Sequence, residues 1–114
     1  MLIPANPRQL AQDLLPRSLC NVQMTAVISD KHGIFSWGWN SSGNGDGLHA
    51  EAHAISRANR RRLKGATITI AGVRKGRGKV ISAPCMVCLA IISACGIKSI
   101  EFHDKDGMWH KFSR

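Results

Sequence analysis

Two short segments of this chain combine residue types that bind metal ions with a residue type that moves protons. They read His49-Ala50-Glu51 and Pro84-Cys85-Met86-Val87-Cys88. One imidazole and two thiols supply three ligands for a tetrahedral ion such as Zn2+, which leaves the fourth vertex open for water. Because structural zinc sites usually close with four protein ligands, the set His49, Cys85 and Cys88 favours catalysis.

The spacing of the two cysteines also suits a metal site. The two thiolates of Cys-x-x-Cys can reach one ion when the first cysteine lies at a helix start. Pro84 suits such a start, because its missing N–H is not needed there. The free N–H groups at a helix N-terminus also favour thiolate over thiol. Two thiolates and one imidazole balance the charge of Zn2+, and bound water should ionise near neutral pH. Glu51 can then carry a proton from that water to a ring nitrogen and a departing amine, as hydrolytic deamination of cytosine or adenine requires.

At these residues the chain resembles the zinc-dependent cytidine deaminase superfamily, whose signature is His-x-Glu followed by Pro-Cys-x-x-Cys. The resemblance implies that His49, Cys85 and Cys88 bind zinc and that Glu51 shuttles protons. It also implies an α/β fold, a three-layer α-β-α arrangement around a five-stranded mixed sheet. Backbone N–H groups beside Ala50 and Cys85 are expected to bind the polar edge of the base, so Ala50 and Pro84 are candidate substrate contacts.

Hydrophobic periodicity and turn residues predict the elements that must position these residues. In chain order they are a helix at 6–19, strands at 22–29 and 34–40, a helix at 48–63, a strand at 66–73, a helix at 86–95, and strands at 97–103 and 108–112. A polar loop at 41–47 should border the site, and residues 80–83 should extend the sheet or approach it. Asn6 is a possible N-cap, and Pro16 should end or kink the first helix.

Two features of the last third carry further expectations. The helix at 86–95 is apolar nearly all round, which predicts that it is sandwiched against the sheet. No helix separates the last two strands, so they must be antiparallel neighbours. This hairpin end resembles the superfamily branch of free-cytidine deaminases, deaminase toxins and plant organellar RNA editors, which favours cytosine over adenine.

Length and composition limit the architecture. The 114 residues, 44% of them hydrophobic, predict a single domain at 1–114. No stretch reaches the roughly 18 consecutive apolar residues of a membrane span, and the first residues lack the pattern of a secretory signal. Four cysteines fit a reducing compartment, so a cytoplasmic protein is expected. Cys20 and Cys95 should be buried apolar residues, and the resemblance together with the apolar helix predicts a homo-oligomer.

The charge is strongly positive, at +9. Nine of the 16 basic residues fall in one stretch, namely Arg57, Arg60, Arg61, Arg62, Lys64, Arg74, Lys75, Arg77 and Lys79. Such a patch attracts polyphosphate chains such as single-stranded nucleic acid. The alternative is a solvated helix end and a solvated loop, since helix C-termini also prefer cations.

Aromatic residues alternate along one predicted strand. Phe35, Trp37 and Trp39 should share a face, with Phe35 and Trp37 in the core. Trp39 and Asn40 are candidate substrate contacts, because Gly38-Trp39-Asn40 is similar to the Gly-x-Asn that ends this strand in many superfamily members. There the Asn hydrogen-bonds the sugar.

Several alternatives stay open at this point. Cys85 and Cys88 could form a redox pair, and His53 or Cys95 could complete a closed zinc site in a non-catalytic binding module. As an enzyme, the chain is expected to convert cytosine to uracil in single-stranded nucleic acid or a nucleotide. Free cytidine or deoxycytidine is the alternative substrate, and adenosine in RNA is a further one.

Overall fold

A computed structural model describes residues 6–41 and 48–113, which form a mixed sheet with helices on both faces. The helices are α1 (Pro7–Asp13), α2 (Ala50–Arg57), α3 (Arg60–Leu63) and α4 (Met86–Ala94), and a 3-10 turn at Leu15–Arg17 follows α1. The strands are β1 (Val22–Asp30), β2 (Gly33–Trp39), β3 (Thr67–Arg74), β4 (Gly78–Lys79), β5 (Ser99–His103) and β6 (Trp109–Ser113).

The strand order is β2-β1-β3-β5-β6, which confirms the predicted five-stranded mixed sheet. The β3–β5 pair is parallel, whereas β1–β2, β1–β3 and β5–β6 are antiparallel. The short strand β4 pairs with the end of β3 as a sixth strand. Residues 80–83 approach the sheet without joining a ladder, through the Val80 and Ser82 N–H groups.

Two apolar clusters on opposite faces of the sheet confirm the three layers. Ala11 and Leu14 of the α1 side pack with Val27 and Ala71 on one face. On the other face, residues of α2, α4 and the sheet form the larger cluster, including Ala54, Ile68, Ile70 and Ile92. The helices that carry the motif residues therefore share one face of the sheet.

Helix ends follow local capping. The Asn6 side chain accepts a hydrogen bond from the Arg8 N–H, which confirms it as the N-cap, and α1 ends before Pro16.

The prediction of a single helix at 48–63 is wrong in the middle of that range. Ala58 is extended (ψ 151°), and the Asn59 side chain caps a new helix by accepting from the Arg61 N–H. Asparagine competes for backbone N–H groups in this way, so the chain turns there.

A β-bulge overturns the prediction that Phe35 shares a face with Trp37. Ile28 pairs with Ser36 and Ser29 pairs with Ile34, so Phe35 is the extra residue. Phe35 consequently packs against the α2 side of the sheet, whereas Trp37 packs against the α1 side.

Helix α4 is less covered than its apolar sequence predicts. Cys88 and Ile92 are its buried side chains, while Met86 is 87% exposed and Val87 is 68% exposed. The prediction of a sandwiched helix is therefore wrong for the outer face, because no described element packs there.

Cys20 and Cys95 are half-buried, and the four cysteines are free thiols. Within the described ranges, every helix is too short or too polar to cross a membrane. Most of the loop predicted at 41–47 lies outside the described residues.

Candidate metal centre

The two motif segments meet because both lie at helix N-termini on the same face of the sheet. His49 is the N-cap of α2 and Cys85 is the N-cap of α4, with Cys88 in the first turn. Pro84 thus precedes the cap rather than starting the helix. Neither capping side chain bonds its own helix, so both are free to face each other.

The distances between the three side chains fit a tetrahedral zinc site. The His49 Nδ1 atom lies 3.1 Å from the Cys88 Sγ atom and 3.7 Å from the Cys85 Sγ atom, and the three ligand atoms lie within 4.8 Å of one another. Tetrahedral ligands at zinc bond lengths are separated by about 3.6 Å. One imidazole and two sulfurs are also ligands that zinc prefers, so these residues fit a zinc ion.

The surroundings of Cys88 disfavour its thiolate when no cation is bound. Burial raises the pKa of the Cys88 thiol, and the charge of Glu51 and the proximity of Cys85 raise it further. The helix N-terminus, expected to favour thiolate, is outweighed at this side chain. A divalent cation offsets the repulsion among these groups and favours thiolate.

Glu51 lies beside the ligands without belonging to them. It occupies the first turn of α2, and its side chain is nearly buried, at 5% exposure. A cavity of about 200 Å³ exposes Glu51 together with His49, Ala50 and Cys85. A carboxylate held in the same cavity as two metal ligands can exchange protons with a molecule bound there.

Among the residues that the structure describes, Met24, Asn40 and Ala83 also line this cavity. Asn40 was predicted, whereas Met24 and Ala83 were missed, because nothing in their local sequence marks them. Trp39 and Pro84 do not line the cavity. The Trp39 ring instead meets the His53 ring edge to face, and Pro84 lines a separate apolar groove beside α4.

Asn40 is tied to the sheet by its own side chain. Its Oδ1 atom accepts hydrogen bonds from the Ser18 hydroxyl (2.6 Å) and the Met24 N–H (2.9 Å), and its Nδ2 atom donates to the Val22 carbonyl (2.8 Å). The amide is therefore held in one orientation at the cavity wall. Ser18, which sequence reasoning missed, is part of this arrangement.

The two residues proposed to close a four-ligand site lie elsewhere. His53 bonds the backbone of Trp39 through its Nδ1 atom, and Cys95 caps the far end of α4. Among the described residues, the metal-binding group consists of His49, Cys85 and Cys88. That count agrees with an open position.

The predicted basic patch divides between the two ends of the sheet. Arg74 pairs with Val22 at the end near the cavity wall Met24. At the opposite end, Arg62 forms an ion pair with Asp30 (2.8 Å) and Lys64 packs beside Gly96. Arg57 stacks over Trp37 and Trp39 at the edge strand β2. The nine residues are therefore not one continuous surface.

Comparisons with known proteins agree with this site. A family model described as the cytidine and deoxycytidylate deaminase zinc-binding region matches residues 8–104. Cytidine deaminase from Burkholderia pseudomallei superposes with a TM-score of 0.72 at 19% identity, covering 94% of this chain and 89% of that one.

Two further structures show the same fold. For dCMP deaminase from the cyanophage S-TIM5, the TM-score is 0.63 at 20% identity, with 82% and 76% coverage of this chain and that one. For cytidine deaminase from Mycobacterium leprae, the values are 0.59 and 17%, with 91% and 88% coverage. No curated protein matches the chain in sequence.

Proposed function

Because the chain belongs to the cytidine and deoxycytidylate deaminase zinc-binding family, we propose that it hydrolyses the C4–N bond of a cytosine base and releases the amino group as ammonia. His49, Cys85 and Cys88 hold the zinc ion. The observation that carries this proposal is Glu51, a nearly buried carboxylate that shares a cavity with two of the ligands yet is not one of them. A binding module with structural zinc has no use for such a carboxylate.

The reaction exchanges one bond for another. Water adds its oxygen to C4 of the ring, the C4–N bond breaks, and ammonia leaves as uracil forms. Zinc, when bound, lowers the pKa of a water molecule at its open position and so supplies the nucleophile. Glu51 would take one proton from the attacking water and give it to the ring nitrogen. It would then carry the second proton, released from the added hydroxyl as the C4 carbonyl forms, to the departing amine.

The other cavity residues orient the base. The N–H groups at the start of α2, beside Ala50, bind the polar edge of the ring, and the fixed amide of Asn40 faces the sugar. Among the described residues, only one of the two Asn40 Nδ2 protons has a partner, which leaves the other for substrate. Met24 and Ala83 form apolar walls that exclude water from the reacting ring.

We infer that the base belongs to a single-stranded nucleic acid or a nucleotide. The net charge of +9 favours substrates that carry phosphates, and the antiparallel β5–β6 hairpin supports cytosine over adenine, including adenosine in RNA. Free cytidine or deoxycytidine is the second candidate, since the described walls of the cavity include no lysine or arginine that would bind a phosphate. The salt dependence of binding distinguishes the two substrate classes, because binding of a polyphosphate weakens steeply as ionic strength rises, whereas binding of a nucleoside does not.

Replacing the proton carrier tests the proposal. Glu51→Gln should lower turnover of cytosine substrates by about 10² to 10⁴-fold while zinc content stays stoichiometric. Glu101→Gln is the matched control, because that carboxylate bonds Arg8 and Thr69 away from the cavity. Mass spectrometry on cytidine, deoxycytidylate and single-stranded DNA and RNA measures the product. A fully active Glu51→Gln protein would refute the assignment.

We also propose that the chain forms homo-oligomers and works in the cytoplasm. The exposed apolar face of α4 is the surface expected to associate. Four free thiols suit a reducing compartment.

A further inference from the structure

The β3–β4 hairpin carries four exposed cations at the cavity end of the sheet. Three of them lie at the end of β3 and in the turn, namely Arg74, Lys75 and Arg77, and the fourth is Lys79 on β4. Among the described residues, none of the three lies within ion-pair distance of a carboxylate, whereas Arg8 and Arg62 are both paired. Their charge is therefore available to an external anion.

The hairpin is a fixed platform. Arg74 lies opposite Val22 on β1 and opposite Gly78 on β4, and the Lys75 N–H donates to the Asn21 carbonyl (2.8 Å). The Arg77 N–H donates to the Arg74 carbonyl (2.9 Å) and closes the turn. Backbone bonds on both sides thus fix the hairpin that carries the three cations, so no ordering of the backbone is needed when they bind a ligand.

The hairpin lies next to the cavity. A Cβ atom at Gly72 would lie 2.6 Å from the Met24 Sδ atom and 3.1 Å from Val80, so these three residues are neighbours. Met24 lines the cavity, and Arg74 follows Gly72 by two residues, about 7 Å along an extended strand. Arg74, the first of the cations, consequently lies two residues along β3 from the residue that pairs with the cavity wall Met24.

The other basic residues do not combine these properties. Arg60, Arg61 and Lys64 lie at or near the far end of the sheet, where Arg62 pairs with Asp30. Lys79 packs its Nζ atom against Gly107, in the turn that contains Asp104 and Asp106. Arg57 is also exposed, but its guanidinium stacks over Trp37 and Trp39. Arg74, Lys75 and Arg77 are exposed, unpaired in the described structure and close to the cavity.

We propose that the β3–β4 hairpin binds the phosphate backbone of a single-stranded nucleic acid whose cytosine enters the metal cavity. This rests on the proposed function, and it names the macromolecular substrate and the surface that recognises it. The contacts are to phosphates, so they add affinity without reading sequence. Each neutralised phosphate releases counterions, which makes binding depend on salt.

Two triple variants with the same charge change test the surface. The hairpin variant is Arg74→Ser, Lys75→Ser and Arg77→Ser, and the control is Arg60→Ser, Arg61→Ser and Lys64→Ser. Binding and kcat/KM are measured on cytosine-containing single-stranded DNA and RNA, and on free cytidine, across a salt series. We expect the hairpin variant to lose about tenfold or more on oligonucleotides and to reduce the salt slope by about 2. The control should stay within about threefold, and free cytidine should respond to neither variant.

Other outcomes overturn the surface or the function separately. Equal losses of oligonucleotide binding in both variants would show that only the net charge of the protein matters, not its position. Unchanged oligonucleotide binding by the hairpin variant would show that the hairpin does not bind the nucleic acid. A wild-type protein that turns over cytidine but no oligonucleotide keeps the function and refutes the surface. Lack of zinc-dependent turnover on every substrate refutes the function, and oligonucleotide binding by the two variants still tests the hairpin.

A second inference rests on Ser82, a fully buried residue three positions before Cys85. Direct pairing of β3 with β5 ends at Ile70 and Phe102. Beyond that point the Ser82 hydroxyl donates to the Ile70 carbonyl (2.7 Å) and accepts from the His103 N–H (2.9 Å), and the Ser82 N–H donates to the His103 carbonyl (2.9 Å). Ser82 therefore bridges both strands where they separate.

We infer that Ser82 is a positioning residue that fixes the segment delivering Cys85 to the metal. The matched variants are Ser82→Ala and Ser99→Ala, since Ser99 is also nearly buried on this sheet but lies at the other end of β5. Ser82→Ala should weaken zinc affinity by about tenfold or more and make the Cys85 thiol of the metal-free protein react faster with a thiol reagent. Ser99→Ala should change neither, and Ser82→Thr should restore both. If Ser82→Ala kept the wild-type zinc affinity and Cys85 reaction rate, Ser82 would not position Cys85. If Ser82→Ala failed to fold, the role of Ser82 would be purely structural.

Discussion

The two helices that deliver the metal ligands are held in very different ways. Helix α2 is bonded to its neighbour strand: the Ser36 hydroxyl donates to the Ala54 carbonyl (2.6 Å), and the Trp39 N–H donates to His53 Nδ1 (3.2 Å). Helix α4 buries Cys88 and Ile92 and leaves its outer face open. The centre therefore joins an anchored helix to a loosely covered one.

This difference assigns different parts to the two ligand segments. In the proposed reaction Glu51 needs an accurate position relative to the substrate, and it lies on the anchored helix. The cysteines lie on the helix with fewer tertiary contacts, where a metal ion contributes more to order. Metal binding affects local stability most where the tertiary contacts of the protein alone stabilise a helix least.

Removal of zinc by a chelator should produce the largest effect. Amide hydrogen exchange in α4 should accelerate by about tenfold or more, whereas exchange in α2 should change by less than about threefold. Mass-spectrometric exchange measures both helices in one sample, and returning zinc serves as the control. Equal acceleration in both helices would contradict the comparison.

Gly38→Ala should disturb the anchored helix. A Cβ atom at this position would lie 2.6 Å from the Ala54 nitrogen, and backbone cannot yield as a side chain can. We expect a loss of about 1–3 kcal/mol in the free energy of unfolding, measured by denaturant titration. Gly72→Ala is the control with a smaller expected loss, because its closest neighbour is the flexible end of Met24. A neutral Gly38→Ala would mean that α2 is not closely packed.

Leu89→Gln tests the open face of α4. A substitution at an exposed position changes the free energy of unfolding of a monomer by less than about 0.5 kcal/mol. The expected effect is therefore a lower mass in solution as the proposed assembly dissociates. Light scattering measures the mass, and Leu19→Gln is the control because Leu19 is exposed elsewhere. A wild-type protein that is already monomeric would remove the role proposed for this face.

The smallest effect concerns the far end of the α2–α3 segment. The Arg62 guanidinium lowers the pKa of Asp30 from 3.8 to about 2. The pair therefore stabilises the fold above about pH 4, and this contribution is lost as the pH falls through about 2. In Arg62→Ala the pKa of Asp30 should rise toward its ordinary value, as measured by NMR titration, while Arg61→Ala should leave it low. An unchanged pKa in Arg62→Ala would exclude this pairing in solution.

Much of the site could be predicted because its signals are local. The ligands and Glu51 lie within two short segments, and helix starts require recognisable residues such as Asn6 and Pro7. The bulge at Phe35 could not be predicted in the same way. It depends on how β2 registers against β1, which alternation along one strand does not reveal.

Residue types and spacing alone predicted the metal-binding group and the order of the main elements, since these depend on coordination chemistry and local backbone preferences, and they also led to the proposal that Glu51 carries protons. Only the folded chain decided that the basic residues separate to opposite ends of the sheet and that α4 is exposed. Both outcomes depend on strand register and on what packs against each face, which are contacts between residues far apart in the chain. Such contacts leave no pattern in a single local segment.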